Sequence, residues 1–145
     1  MSREADVVVK MMGGELMLVK MRKGVEHDFV PRVLKKLYDY FVEHKESGKK
    51  VVVILVSQRT TAIVSRKTQD LLGDKCTMKT DRKIKVGDVC EIRFEPAVVN
   101  GNKGFTADVV IVNQSEFMPK GFTEKVLLPL YGVEKTRMMF TASSD

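Results

Sequence analysis

The segment KIKVGDVCEIRFEPAVVNGNKGFTADVVIV, Lys83 to Val112, carries the most structural information in the chain. Within it Val89 to Glu95 alternates, with Cys90, Ile92 and Phe94 on one face and Glu91, Arg93 and Glu95 on the other, the pattern of a half-buried antiparallel strand. Phe105 to Val112 alternates in the same way, Phe105, Ala107, Val109 and Ile111 opposing Thr106 and Asp108. Between them Asn100-Gly101-Asn102-Lys103-Gly104 forms turns readily, so the two runs are expected to make a hairpin with a basic tip.

Upstream, Val51 to Ser57 is a continuous apolar run and Thr60 to Ser65 a β-branched one, separated by Gln58-Arg59, which together predict a second hairpin. Arg66 to Thr80 is polar and basic, and predicts a long loop with one helical turn or a short strand around Cys76 to Met78. Further upstream the period changes. Phe29, Val30, Val33, Leu34, Leu37, Tyr38, Phe41 and Val42 recur three and four apart, predicting an amphipathic helix from about Phe29 to Glu46. Asp28 is its expected cap, Pro31 suits its first turn, and Ser47-Gly48 ends it. Asp6 to Met12 and Glu15 to Met21 are β-rich and joined by Gly13-Gly14, which predicts an N-terminal hairpin. The tail from Gln114 to Asp145 contains Pro119, Gly121, Pro129 and Gly132, leaving room for a short helix around Thr123 to Leu128 before a frayed end. Three regions follow: residues 1–50 as hairpin plus helix, 51–113 as a β unit, and 114–145 as a docking tail.

The 145 residues are 43% hydrophobic and 30% charged, enough for one ordinary core. No run approaches the roughly 18 apolar residues of a membrane span, and Met1 to Asp6 does not resemble a secretion signal. An intracellular protein, cytoplasmic or nuclear and without a membrane partner, is expected. Cys76 and Cys90 are expected as free thiols, and with His27 and His44 far upstream no metal site is expected. The net charge of +6 lies between Lys45 and Lys103, where thirteen basic residues face seven acidic ones, a distribution that suits a polyanion.

Catalytic signatures are missing from this reading. Gly13-Gly14 lacks the further glycines and the Lys-Ser/Thr pair of a phosphate loop, and Gly101 to Gly104 is expected to join two strands. His27 beside Asp28 reads as a surface histidine near a helix start, with no serine or cysteine to activate. Neither an enzyme nor a cofactor is expected.

The run Lys85-Val86-Gly87-Asp88-Val89-Cys90-Glu91-Ile92-Arg93-Phe94, followed by a glycine turn and Lys103-Gly104-Phe105-Thr106-Ala107-Asp108-Val109, resembles the last two strands of cold-shock-type domains. The resemblance extends over about Val51 to Asn113. It implies an α+β chain in which a small OB-like antiparallel β-barrel follows a hairpin and helix, and it implies binding of RNA or single-stranded DNA. The family's aromatic stacking motifs are replaced by Arg59 to Val64 and Asp74 to Met78. Binding would therefore rest on phosphate contacts from Arg59, Arg66, Lys67, Lys75, Lys79, Arg82, Lys83 and Lys103. The alternative is a degenerate barrel that serves protein interaction, through Tyr38, Phe41, Phe117 and Phe122 or a methionine-rich surface including Met11, Met12, Met17, Met21, Met138 and Met139.

Overall fold

The structure is a computed structural model that describes residues 2–44, 50–56, 58–96, 107–117 and 137–143. The first element is a helix. In α1 (Arg3–Met12), Ser2 Oγ accepts the N–H of Ala5 at 3.2 Å, Glu4 and Asp6 occupy the first turn, and Lys10 the last. Val7 and Met11, and Val8 and Met12, fall four apart and are buried together, so tertiary burial outweighs the β preference of the Val7-Val8-Val9 run. Gly13 and Gly14 terminate this helix and do not turn a hairpin: their N–H groups bond to Val9 and Met11, and Gly14 has φ +94°, a conformation that glycine adopts without strain.

β1 (Met17–Met21) leads into α2 (Glu26–Glu43), the amphipathic helix its periodicity predicts, which buries Phe29, Val30, Val33, Leu34, Leu37 and Phe41. It starts earlier than expected. Val25 caps it without a side-chain bond, Asp28 lies in the first turn, and Pro31 lies inside the helix. β2 (Lys50–Val56) follows, then α3 (Gln58–Leu72), where a strand and a loop were expected. Thr60, Val64, Thr68 and Leu72 are buried four apart, a helical stripe written in residues that also favour strands. Thr68 returns its hydroxyl to the Val64 carbonyl at 2.7 Å.

A 3-10 turn at Gly73–Lys75 leads to β3 (Met78–Lys79), β4 (Lys83–Val86) and β5 (Cys90–Pro96), and β6 (Val109–Val112) and β7 (Arg137–Ser143) complete the sheet. The strand order is β1-β7-β6-β2-β5-β4-β3. Neighbours from β1 to β5 are parallel, and β5-β4-β3 form an antiparallel extension.

Among the described residues this sheet is open, with β1 and β3 as its edges, so the OB-like, cold-shock-like barrel is corrected to an α/β arrangement with three α-helices. The hairpin expected of β5 and β6 does not exist, because β2 lies between them and runs parallel to both, with Ile54 beside Phe94 and Ile111. Strands covered on both faces are uniformly apolar, which explains why all four residues of β6 are buried. One face, carrying Ile92, Val52, Ile54, Ile111 and Met139, joins the apolar sides of the three helices in a single core. β7 is likewise a strand within the sheet, extending through Thr141 to Ser143 where fraying was expected. The glycine turn at Asn100 to Gly104 and the helix at Thr123 to Leu128 fall outside the described residues.

On β5 the polar face carries a charge cluster. Glu91 is buried and receives Arg93 at 3.0 Å and Lys83 at 3.4 Å. Burial alone pushes its carboxyl upward, but the hydrogen bonds and charges of Arg93 and Lys83 outweigh this and hold it below the ordinary carboxylate value. A depressed folded pKa stabilises the protein above the unfolded pKa, and that contribution is lost as pH falls through the folded value. Glu91→Gln is expected to cost about 1–2 kcal/mol at pH 7, discounted because both cations reach solvent. The difference should shrink below about pH 4.5, as urea midpoints of the two proteins measured across pH will show.

Candidate functional site

Because β1, β7, β6, β2 and β5 run the same way, their carboxyl ends lie along one edge of the sheet, where open parallel sheets bind ligands. A cleft of about 580 Å³ opens there. The loop after β1 and the first turn of α2 supply Lys23, Gly24, Glu26 and His27, the start of α3 supplies Arg59 and Thr60, and the end of β6 supplies Gln114.

Each group is placed by its element. Gly24 has φ +93°, which lets the chain turn from β1 into α2, and its N–H points back to Glu26 Oε2 at 2.9 Å. Glu26, the first residue of α2, is 2% exposed and lies at the positive end of the helix. Its Oε1 accepts from Gln114 Nε2 at 2.7 Å, joining two residues that are 88 apart in the chain. His27 Nε2 lies 3.8 Å from the same oxygen, beyond hydrogen-bond reach, and has no hydrogen-bond partner.

Gln114 is the one non-glycine residue with positive φ (+62°) among the described residues, a local strain of order 1 kcal/mol or more. Its N–H donates to Thr141 Oγ1 at 2.8 Å, and that hydroxyl donates to Asn113 Oδ1 at 2.7 Å, so the ends of β6 and β7 are tied together. Asn113 Nδ2 is buried without a partner.

Of the basic residues expected to bind nucleic acid, Arg59 alone reaches this cleft. Arg66 pairs with Asp81 at 3.5 Å and Lys67 with Asp28 at 2.7 Å, the latter bond holding the Asp28 carboxyl below its ordinary value. Lys75 lies over the Tyr38 ring, and Lys83 is bound to Glu91. Arg82 lines a separate cavity with Asp81 and Phe94, Lys79 is exposed on β3, and Lys103 lies outside the described residues. Of the residues suggested for protein contacts, Phe41 is buried in the core and Tyr38 is half-buried against it, while Phe122 and the Phe117 side chain fall outside the described residues. Met11, Met12, Met21, Met138 and Met139 are buried, and Met17 packs against the core.

Sequence reading missed Lys23, Gly24, Glu26 and Gln114. The available signal was Arg22-Lys23-Gly24 between an apolar strand and an amphipathic helix, which the expected pairing of Glu15 to Met21 with Asp6 to Met12 in a hairpin concealed.

Cys76 is a free thiol whose pKa burial pushes upward, and Cys90 is buried in the core. Among the described residues no three His, Cys, Asp or Glu side chains converge on a metal position, and no helix is long and apolar enough to cross a membrane.

These features define an open α/β sheet protein with a ligand-sized cleft at the carboxyl ends of its parallel strands. Solved structures with this fold include phage large terminases. The large terminase of the thermophilic bacteriophage D6E matches with a TM-score of 0.65 at 9% identity, over 97% of this chain and 38% of that one. The HK97 bacteriophage large terminase matches at 0.64 and 10%, over 100% and 33%. The large terminase ATPase domain of Thermus phage P74-26 matches at 0.52 and 10%, over 88% and 58%. The chain thus spans about a third to three-fifths of these structures. No protein-family model and no curated protein matches the sequence.

At such identities the likeness shows the fold, and it overturns three expectations. The cold-shock resemblance fails because its two key strands are not neighbours. The non-catalytic module, binding RNA or single-stranded DNA on a barrel face or serving as a degenerate protein-interaction barrel, fails with the barrel. The expectation that the protein is not an enzyme loses its basis too, because a domain with this fold is a terminase ATPase.

Proposed function

We propose that the cleft binds the phosphate chain of a nucleoside triphosphate, and that the chain is the nucleotide-binding part of a motor of the large-terminase kind acting on DNA. The observation that carries this reading is the meeting of Lys23, Arg59 and the N-terminus of α2 around the 580 Å³ cleft, in a fold shared with a terminase ATPase domain. A helix N-terminus favours anions, and two cations beside it can neutralise a polyphosphate. The DNA partner belongs to the same proposal. Exposed pairs such as Arg66–Asp81 and Lys67–Asp28 can exchange their carboxylate for a DNA phosphate at little cost.

P-loop enzymes hold a metal with a Ser/Thr of the loop after the first strand and an aspartate at a strand end, and among the described residues neither stands at these two places. The loop reads Lys23-Gly24-Val25-Glu26, and β6 ends in Asn113-Gln114, with Asn113 Oδ1 engaged by Thr141.

Titration with fluorescent ATP at low salt should show saturable binding in the micromolar to millimolar range, with phosphate release recorded in the same samples. Lys23→Ala with Arg59→Ala should weaken binding by about 10-fold or more, since charge-assisted hydrogen bonds contribute roughly 1.5–3 kcal/mol each. A folded wild-type protein that does not bind ATP at millimolar concentration would remove this function.

A further inference from the structure

We infer that Glu26 is the resident anion of the cleft, a carboxylate that an incoming phosphate chain must displace from Gly24 and Gln114, so that this side chain sets the affinity and selectivity of the site. The inference rests on the proposed phosphate binding and goes beyond it.

Glu26 occupies the position where a phosphate oxygen would be held. Its Oε2 takes the Gly24 N–H at 2.9 Å, the kind of loop amide that cradles phosphate at the start of a helix. It is 2% exposed, so its charge is held largely out of bulk water, where repulsion between like charges is weakly screened. Its hydrogen-bond partners, Gly24 and Gln114, are neutral, so the charges of Lys23 and Arg59 are left to oppose a ligand. A second anion brought within about 6 Å of Glu26 would be repelled strongly enough to weaken binding by roughly 10- to 100-fold, which only a ligand carrying several charges can overcome through the two cations. Displacing the carboxylate also breaks its bond to the Gln114 side-chain amide, and the backbone N–H of that residue is tied to Thr141 of β7. Filling the cleft is thereby linked to the ends of two strands.

The test measures binding of inorganic tripolyphosphate by calorimetry to the wild-type chain and to Glu26→Gln, with amide NMR on the wild type. Glu26→Gln keeps the shape and removes the charge, and it should bind tripolyphosphate at least about 10-fold more tightly. In the wild type, tripolyphosphate should shift the Gly24 amide and the Gln114 side-chain amide signals, a readout that needs no variant to fold. Equal or weaker binding by a folded Glu26→Gln, or wild-type binding that leaves both signals in place, overturns the role of Glu26 while phosphate binding stands. Absence of binding by both proteins overturns the cleft as a phosphate site, and this inference with it.

Discussion

Replacing Met139 with aspartate is expected to unfold the protein or leave it only marginally folded. Met139 is fully buried in β7, between Met17 of β1 and Ile111 of β6. An unpaired carboxylate there costs about 3–5 kcal/mol or more, against a total stability of roughly 5–15 kcal/mol for a domain of this kind. Leu18→Asp, on the neighbouring edge strand and 58% exposed, should change stability by less than about 1 kcal/mol. Urea unfolding followed by circular dichroism gives both values. A Met139→Asp protein with a native midpoint would mean that β7 is not part of the sheet, as a frayed tail would imply.

Ser65→Pro is expected to have the second largest effect, about 3 kcal/mol or more. Ser65 lies in the middle of α3 and is fully buried, and its hydroxyl donates to the Thr80 carbonyl at 3.2 Å. Proline removes a helical N–H, drives its ring against the Thr61 carbonyl and leaves the Thr80 carbonyl short of a donor, while Gln69 Nε2 still reaches that oxygen at 3.1 Å. Loss of helical signal together with a lowered urea midpoint is the expected result. A variant with wild-type helicity would contradict the helix and restore the strand that Thr60 to Ser65 suggests.

The sequence alone determined those features whose cause is local. The three-and-four spacing of Phe29, Val33, Leu37 and Phe41 makes a helix whatever lies beside it, and it does so in the structure. The apolar run Val51 to Ser57, the alternation of Cys90, Ile92 and Phe94 and the end of the run Phe105 to Val112 all contain strands, β2, β5 and β6. Tertiary structure decided the rest. An apolar strand carries no record of its neighbour's direction, so β5 and β6 could be read as a hairpin although β2 lies between them. Val7 to Val9 and Thr60 to Val64 are β-branched, but β preference spans only about 1 kcal/mol, less than burial of a single large side chain contributes, and packing against α2 settles both segments as helices. The cleft was hidden for the same reason. Lys23, Arg59 and Gln114 are far apart in sequence, and only the parallel alignment of β1, β2 and β6 brings their carboxyl ends, and with them those side chains, to one place.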